Sequence, residues 1–193
     1  MGHKTLLLSA CAVLAATAPS TSSVSAAPMD SMSQNAFGPH IPKAGGTVNL
    51  SAYSDNDGPT SSLVLNGVIG DYGHAVRMTA SGSKTQDDEL QLTMSRGSFR
   101  LDIAGIERQL LTSFGSDFPT NETTCSGLEV ANGMAPIVSG SGTRAYEGLH
   151  GSFYLVISIN EVEKWPLCPK DDTSPYLAQT VYISGSGSVS LRG

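Results

Sequence analysis

Histidine, the side chain most often recruited to move protons or hold metals near neutral pH, is scarce, with four in 193 residues. Beyond Gly45 only His74 and His150 are left, and no H-x-x-x-H spacing puts two of them on one helical face. Each reads as a lone surface or core residue, and no metal is expected. The chain has no G-x-S-x-G nucleophile elbow and no phosphate-cradling G-x-x-x-x-G-K-[ST], so no cofactor is expected either. Asp55-Asn56-Asp57-Gly58 has the start of a calcium loop without its closing glutamate, and reads as a turn. The carboxylates spaced to act as a general base or a metal patch are Glu147, beside Tyr146, and Asp87-Asp88-Glu89. The acidic run lies between two strands and reads as a solvated hairpin tip. Glu147 lies in a tight glycine-rich loop and stays a candidate ligand-binding residue.

Three more candidates interrupt apolar strands. Arg100, Tyr154 and Tyr182 each sit on the parity opposite the bulkiest side chains, so each either lines a cavity or points outward. Alternation alone favours the outward choice, because a half-buried strand turns its polar residues to solvent.

Positioning these residues falls to a chain with 21 Gly, 10 Pro and only 15% charged and 6% aromatic residues. Many turns and short strands suit that composition. A net charge of -6 and few rings argue against a nucleic-acid partner, which calls for a basic patch with stacking side chains.

The beginning of the chain reads as an address. A basic start through Lys4, an apolar run from Leu6 to Ala18 and the small residues Val24-Ser25-Ala26-Ala27 predict a secretory signal peptide over 1–26, cleaved after Ala26. The apolar run falls short of the roughly 20 residues that span a bilayer, and no later stretch approaches that length. Leu8-Ser9-Ala10-Cys11 resembles a lipobox, but the apolar core continues past Cys11, so a lipid anchor there is not the preferred reading. A secreted, extracellular protein is expected. Residues 27–45 have no apolar period and read as a flexible leader. Cys125 and Cys168 then remain as a pair, which in an oxidising compartment predicts one disulfide worth about 4 kcal/mol.

Period-two alternation fills 46–193, a single domain. Leu63, Leu65 and Ile69 share a parity, and Val76, Met78 and Ala80 alternate with Arg77 and Thr79. Leu90, Leu92 and Met94, a three-residue turn Ser95-Arg96-Gly97, then Phe99, Leu101 and Ile103 predict a hairpin in which Gly97 takes positive φ. Phe153, Leu155, Ile157 and Ile159 form a further strand. The last keeps Val181, Ile183, Val189 and Leu191 on one face through Gly185 and Gly187, where a bend or bulge is expected. Ile106, Leu110, Leu111 and Phe114 are spaced for one face of a short helix. Seven or eight strands suit an all-β sandwich or barrel, and closure into a barrel would remove exposed edges.

Gly140-Ser141-Gly142-Thr143-Arg144-Ala145-Tyr146-Glu147-Gly148-Leu149-His150-Gly151-Ser152 leads into the strand at Phe153. It resembles the G-[ST]-G-x-[YF]-x-G-x-x-G stretch of the allene oxide cyclase and dirigent barrels, with one extra residue before Tyr146. Ile183 to Ser190 and Gly70-Asp71-Tyr72-Gly73 are similar to exported bacterial members of that superfamily. The resemblance implies an antiparallel eight-stranded barrel, homo-oligomers and an interior able to hold a small apolar molecule; it carries no catalytic residue to this chain. Three functions follow. The preferred one is a secreted, non-catalytic barrel that binds a small apolar ligand or serves as an extracellular interaction module. The others are a cofactor-free cyclase or isomerase that orients a reactive substrate, and an envelope scaffold with a filled barrel.

Overall fold

The computed structural model describes residues 41, 44–55, 59–79, 88–117, 121–164 and 176–192. The signal-peptide span, most of the leader, Ala80, Asp87 and Cys168 lie outside them. Pro39–Gly193 form one compact unit. Ile41, within the span read as leader, is buried in its core.

Eight strands follow in chain order: β1 (Gly46–Ser54), β2 (Ser62–Gly67), β3 (Asp71–Met78), β4 (Glu89–Met94), β5 (Gly97–Asp102), β6 (Ser126–Pro136), β7 (Leu149–Glu163) and β8 (Tyr176–Leu191). A helix, α1 (Ala104–Asp117), separates β5 from β6, and a 3-10 turn at Arg144–Tyr146 precedes β7. All neighbouring strands are antiparallel, in the order β5-β4-β3-β2-β1-β8-β7-β6. The all-β expectation of eight antiparallel strands with one short helix holds, as a half-barrel.

Full closure does not. Strands β5 and β6 do not pair along their length; one bridge joins Leu101 to Ile137. The rest of the seam is spanned by the segment after β6, whose Val138, Thr143 and Ala145 N–H groups donate to Arg100, Ser98 and Arg96 carbonyls at 2.9, 2.9 and 3.3 Å. Further along, α1 takes the place of a strand. Its Gln109 side chain donates to Asn132 O at 3.0 Å and accepts from Asn132 N at 3.5 Å, giving the β6 edge the two bonds a neighbouring strand would supply. The inward side of β6 is small (Ala131, Gly133, Ala135), which lets Ile106 approach within 3.3 Å of where a Gly133 Cβ would stand.

The helix is longer than its apolar spacing predicted. Ile106 and Leu110 are buried as expected, but Leu111 is 61% exposed, because only one narrow stripe of α1 meets the sheet. Asp102 Oδ1 accepts the Ala104 N–H at 3.0 Å and starts the helix.

Leu63, Leu65, Leu90, Leu92, Phe99, Leu101, Phe153, Leu155, Ile157 and Ile183 all point inward and are buried, on the predicted parities. Strand β3 is the exception. Its inward set is Asp71, Gly73, Ala75 and Arg77, in register with Met94, Leu92 and Leu90 of β4, while Val76 and Met78 lie half-buried on the other side. The bulkier apolar residues of β3 thus face outward because its inward positions carry a buried carboxylate and an ion pair. Two local expectations also change. Gly97 has φ 148° but opens β5 opposite Met94, leaving a two-residue turn at Ser95-Arg96. Register runs unbroken through Gly185 and Gly187, and the irregularity falls at Val162/Glu163. The two glycines make room for bulk instead: Cβ atoms there would lie 2.8 Å from Leu155 and Phe153 side-chain atoms.

Candidate functional site

Polar side chains gather at both ends of the barrel. At the end where β3 begins, three segments distant in sequence converge on Asp71. Tyr146 Oη from the 3-10 turn donates to Asp71 Oδ2 at 2.5 Å, and Ser95 Oγ from the β4–β5 turn donates to Oδ1 at 2.5 Å. The Tyr72 N–H reaches Oδ1 at 2.8 Å, and Arg96 donates to Oδ2 through its backbone N–H and Nε, both at 3.3 Å. Arg96 Nη2 also donates to Gly70 O at 2.9 Å, and its guanidinium lies 5.9 Å from the centre of the Tyr146 ring.

Burial alone would push the Asp71 carboxyl up. Donation from Ser95, Tyr146 and the Tyr72 N–H, with the Arg96 charge, outweighs it and holds Asp71 below the usual carboxylate range. Burial and the bond to Asp71 push the Tyr146 hydroxyl well above the ordinary tyrosine range. Tyr146 is fully buried, its ring 5.4 Å from Phe99, so no substrate reaches it. The cluster is a knot that fastens the Gly140–Gly148 loop across the seam.

At the other end, Arg77 Nη1 meets Glu107 Oε1 of α1 at 3.2 Å, with the Glu107 side chain 4% exposed. Around the pair, Leu90, Leu110, Ile157, Ile159, Val181 and Ile183 line a cavity of about 20 Å³. A charge pair in an apolar pocket has the chemistry to orient a polar group. That volume, however, holds about one water. Neither Arg77 nor Glu107 was singled out by sequence. The one signal was an arginine inside an alternating strand, and alternation assigned it to solvent.

The residues that sequence did single out are dispersed. Arg100 donates to Glu89 Oε2 at 2.6 Å on the outer side of β4 and β5. Tyr154 is half-exposed on β7, its hydroxyl donating to Asn132 Oδ1 at 2.5 Å. Tyr182 is half-exposed on β8, its ring 5.0 Å from that of Tyr53. Glu147 is exposed just after the 3-10 turn. None of the four lines the inner cavity. Asp88 and Glu89 are buried, not a solvated tip, and with Asp102 they line a cleft of about 280 Å³ at the seam. Among the described residues no group of three His, Cys, Asp or Glu is arranged to hold a metal, and no helix is long and apolar enough to cross a membrane. Cys125 is fully buried just before β6; its expected partner lies outside the described residues.

The outer wall has its own chemistry. The outward positions of β1, β2, β6, β7 and β8 carry no Asp, Glu, Lys or Arg. They alternate Ser, Thr and Asn with half-exposed tyrosines and aliphatic residues such as Val64, Val130 and Met134. No protein-family model, curated protein or solved structure matches the chain.

Proposed function

We propose that this protein is a secreted, non-catalytic interaction module, in which the barrel is a filled scaffold and the outer wall is the working surface. The observation that carries this reading is the size of the interior cavity, about 20 Å³. Small-molecule sites occupy about 300–1,000 Å³, and a cavity so far below that range supports the scaffold reading over an apolar ligand or a cyclase substrate in that pocket. Phe99, Tyr146 and Phe153 fill the space that such a molecule would need. Export after Ala26 and a Cys125–Cys168 disulfide belong to the same reading, as does the allene oxide cyclase and dirigent-like ancestry that the Gly140–Ser152 loop suggests.

Native mass spectrometry of protein recovered from culture medium tests it. The expected species is the chain from Ala27 onward, lighter by two hydrogens for the disulfide and with no small molecule retained. A stoichiometric bound molecule, released only on unfolding, would return the barrel interior to the role of binding site.

A further inference from the structure

The wall has a composition that selects its occupant, and the inference here rests on the wall being the working surface. Side chains in register form continuous rows across five strands. One row runs Asn66, Asn49, Ser186, Tyr154 and Met134; the next runs Val64, Ser51, Ser184, Val156 and Asn132. Four residues along β8 from Ser186, Tyr182 packs against Tyr53. With strands about 4.8 Å apart and about 3.3 Å per residue, the wall spans about 19 Å from β2 to β6, and Tyr182 lies about 13 Å along the strand from the Tyr154 row.

We infer that this wall binds a neutral polysaccharide. Tyrosine offers a rigid apolar face with a polar tip, the shape that packs against the C–H face of a sugar ring. Tyr154 and Tyr182 are both half-exposed, and both rings are held, by Asn132 and by Tyr53. Beside them Ser184 and Ser186 of β8 and Asn49 and Ser51 of β1 are exposed, and hydroxyl and amide groups donate as well as accept, as sugar hydroxyls do. Charge excludes the alternatives. An anionic polymer needs lysine or arginine on the surface that meets it, and the wall has none. A second copy of this chain would need a core of apolar and aromatic residues, and serine is depleted in protein interfaces, whereas serine and asparagine fill the middle of this wall.

The test mixes the mature protein with insoluble cellulose, chitin and starch, and with anionic polygalacturonate. Retention is expected on at least one neutral polymer and not on polygalacturonate, and it should survive salt near 1 M, where the screening length is about 3 Å. Tyr154→Ala, Tyr182→Ala and Ser186→Glu should each weaken retention about tenfold, or about 1.4 kcal/mol. Unchanged thermal unfolding would show that these exposed substitutions leave the fold intact. No retention on any neutral polymer, or retention indifferent to all three substitutions, overturns the inference. Sedimentation of the wild type and Ser186→Glu then separates the two levels of the argument. An oligomer dissolved by the new charge leaves the wall as a protein-binding surface, and a monomer in both cases removes the interaction-module reading as well.

Discussion

Asp71 and Glu163 are both buried carboxylates on the inward side of strands, at opposite ends of the same barrel, and they hold their protons in opposite ways. Burial is the largest influence on each, and in each it favours the neutral acid. Asp71 overcomes it because Ser95, Tyr146, Arg96 and the Tyr72 N–H donate to it. Glu163 has the charge of Glu161 for a neighbour, and its carboxyl is pushed up. Glu161 itself is engaged by Gln179 Nε2 at 2.6 Å, while Gln179 Oε1 is buried without a partner among the described residues. Equal depth in a protein therefore says little about a carboxylate; the number of donors aimed at it decides its charge.

The largest effect expected from that contrast is on Asp71→Ala, which removes the buried acceptor shared by the Tyr146 hydroxyl, Ser95 and the half-buried Arg96. Taking a buried carboxylate away from its donors costs about 3–5 kcal/mol, read as a lowered denaturant midpoint. A loss below about 1 kcal/mol, the size of one ordinary hydrogen bond, would mean that the knot relaxes and is not what fastens the loop. Tyr146→Phe removes a single bond to a charged acceptor and should cost about 1.5–3 kcal/mol. A double-mutant cycle with Asp71→Asn should show that the two changes are not additive.

Glu163→Gln should act with the opposite sign. Removing a charge near Glu161 should raise the unfolding midpoint at neutral pH, with no gain at pH values where Glu163 is already protonated. A destabilised variant at pH 7 would show that Glu163 has a cationic partner in solution.

The pH profile gives the smallest and most diagnostic effect. Asp71 has a folded value below its unfolded one, so its contribution is complete above the ordinary carboxylate range and is lost as pH falls through the lowered value. Glu163 has a raised folded value; its contribution is present below the unfolded value and is lost as pH rises through the folded one. Asp71→Asn should therefore flatten the acid limb of stability, and Glu163→Gln should steepen the net dependence on acid. Tyr146, also raised, keeps its contribution below the unfolded tyrosine value of about 10 and loses it as pH climbs further. Thermal unfolding from acid to alkaline pH measures all three limbs.

Much of the barrel was legible because strand alternation is a local property. Leu90 to Ile103 and Phe153 to Ile159 were assigned to their correct faces from spacing alone. Strand β6 was missed because its inward side is Glu129, Ala131, Gly133 and Ala135, too small and too polar to register as a hydrophobic period. Its weakness as a pattern is its function in the fold, since small residues admit α1. Arg77 was misplaced, and the role of Asp71 was not seen, for a related reason. Alternation sends charged residues outward, and partners such as Glu107 and Tyr146, 30 and 75 positions away in sequence, help to make an inward place tolerable.

The sequence by itself determined the strand periodicity, the acidic balance and the scarcity of catalytic side chains, because each depends on residue type and near neighbours. The tertiary structure alone decided that Arg77 and Glu107 meet beside a cavity of about 20 Å³, that a helix and a loop bridge the seam, and that the uncharged positions of five strands unite on one wall. Those outcomes depend on register and on contacts between segments far apart in the chain, where a shift of one residue would exchange the inner face for the outer.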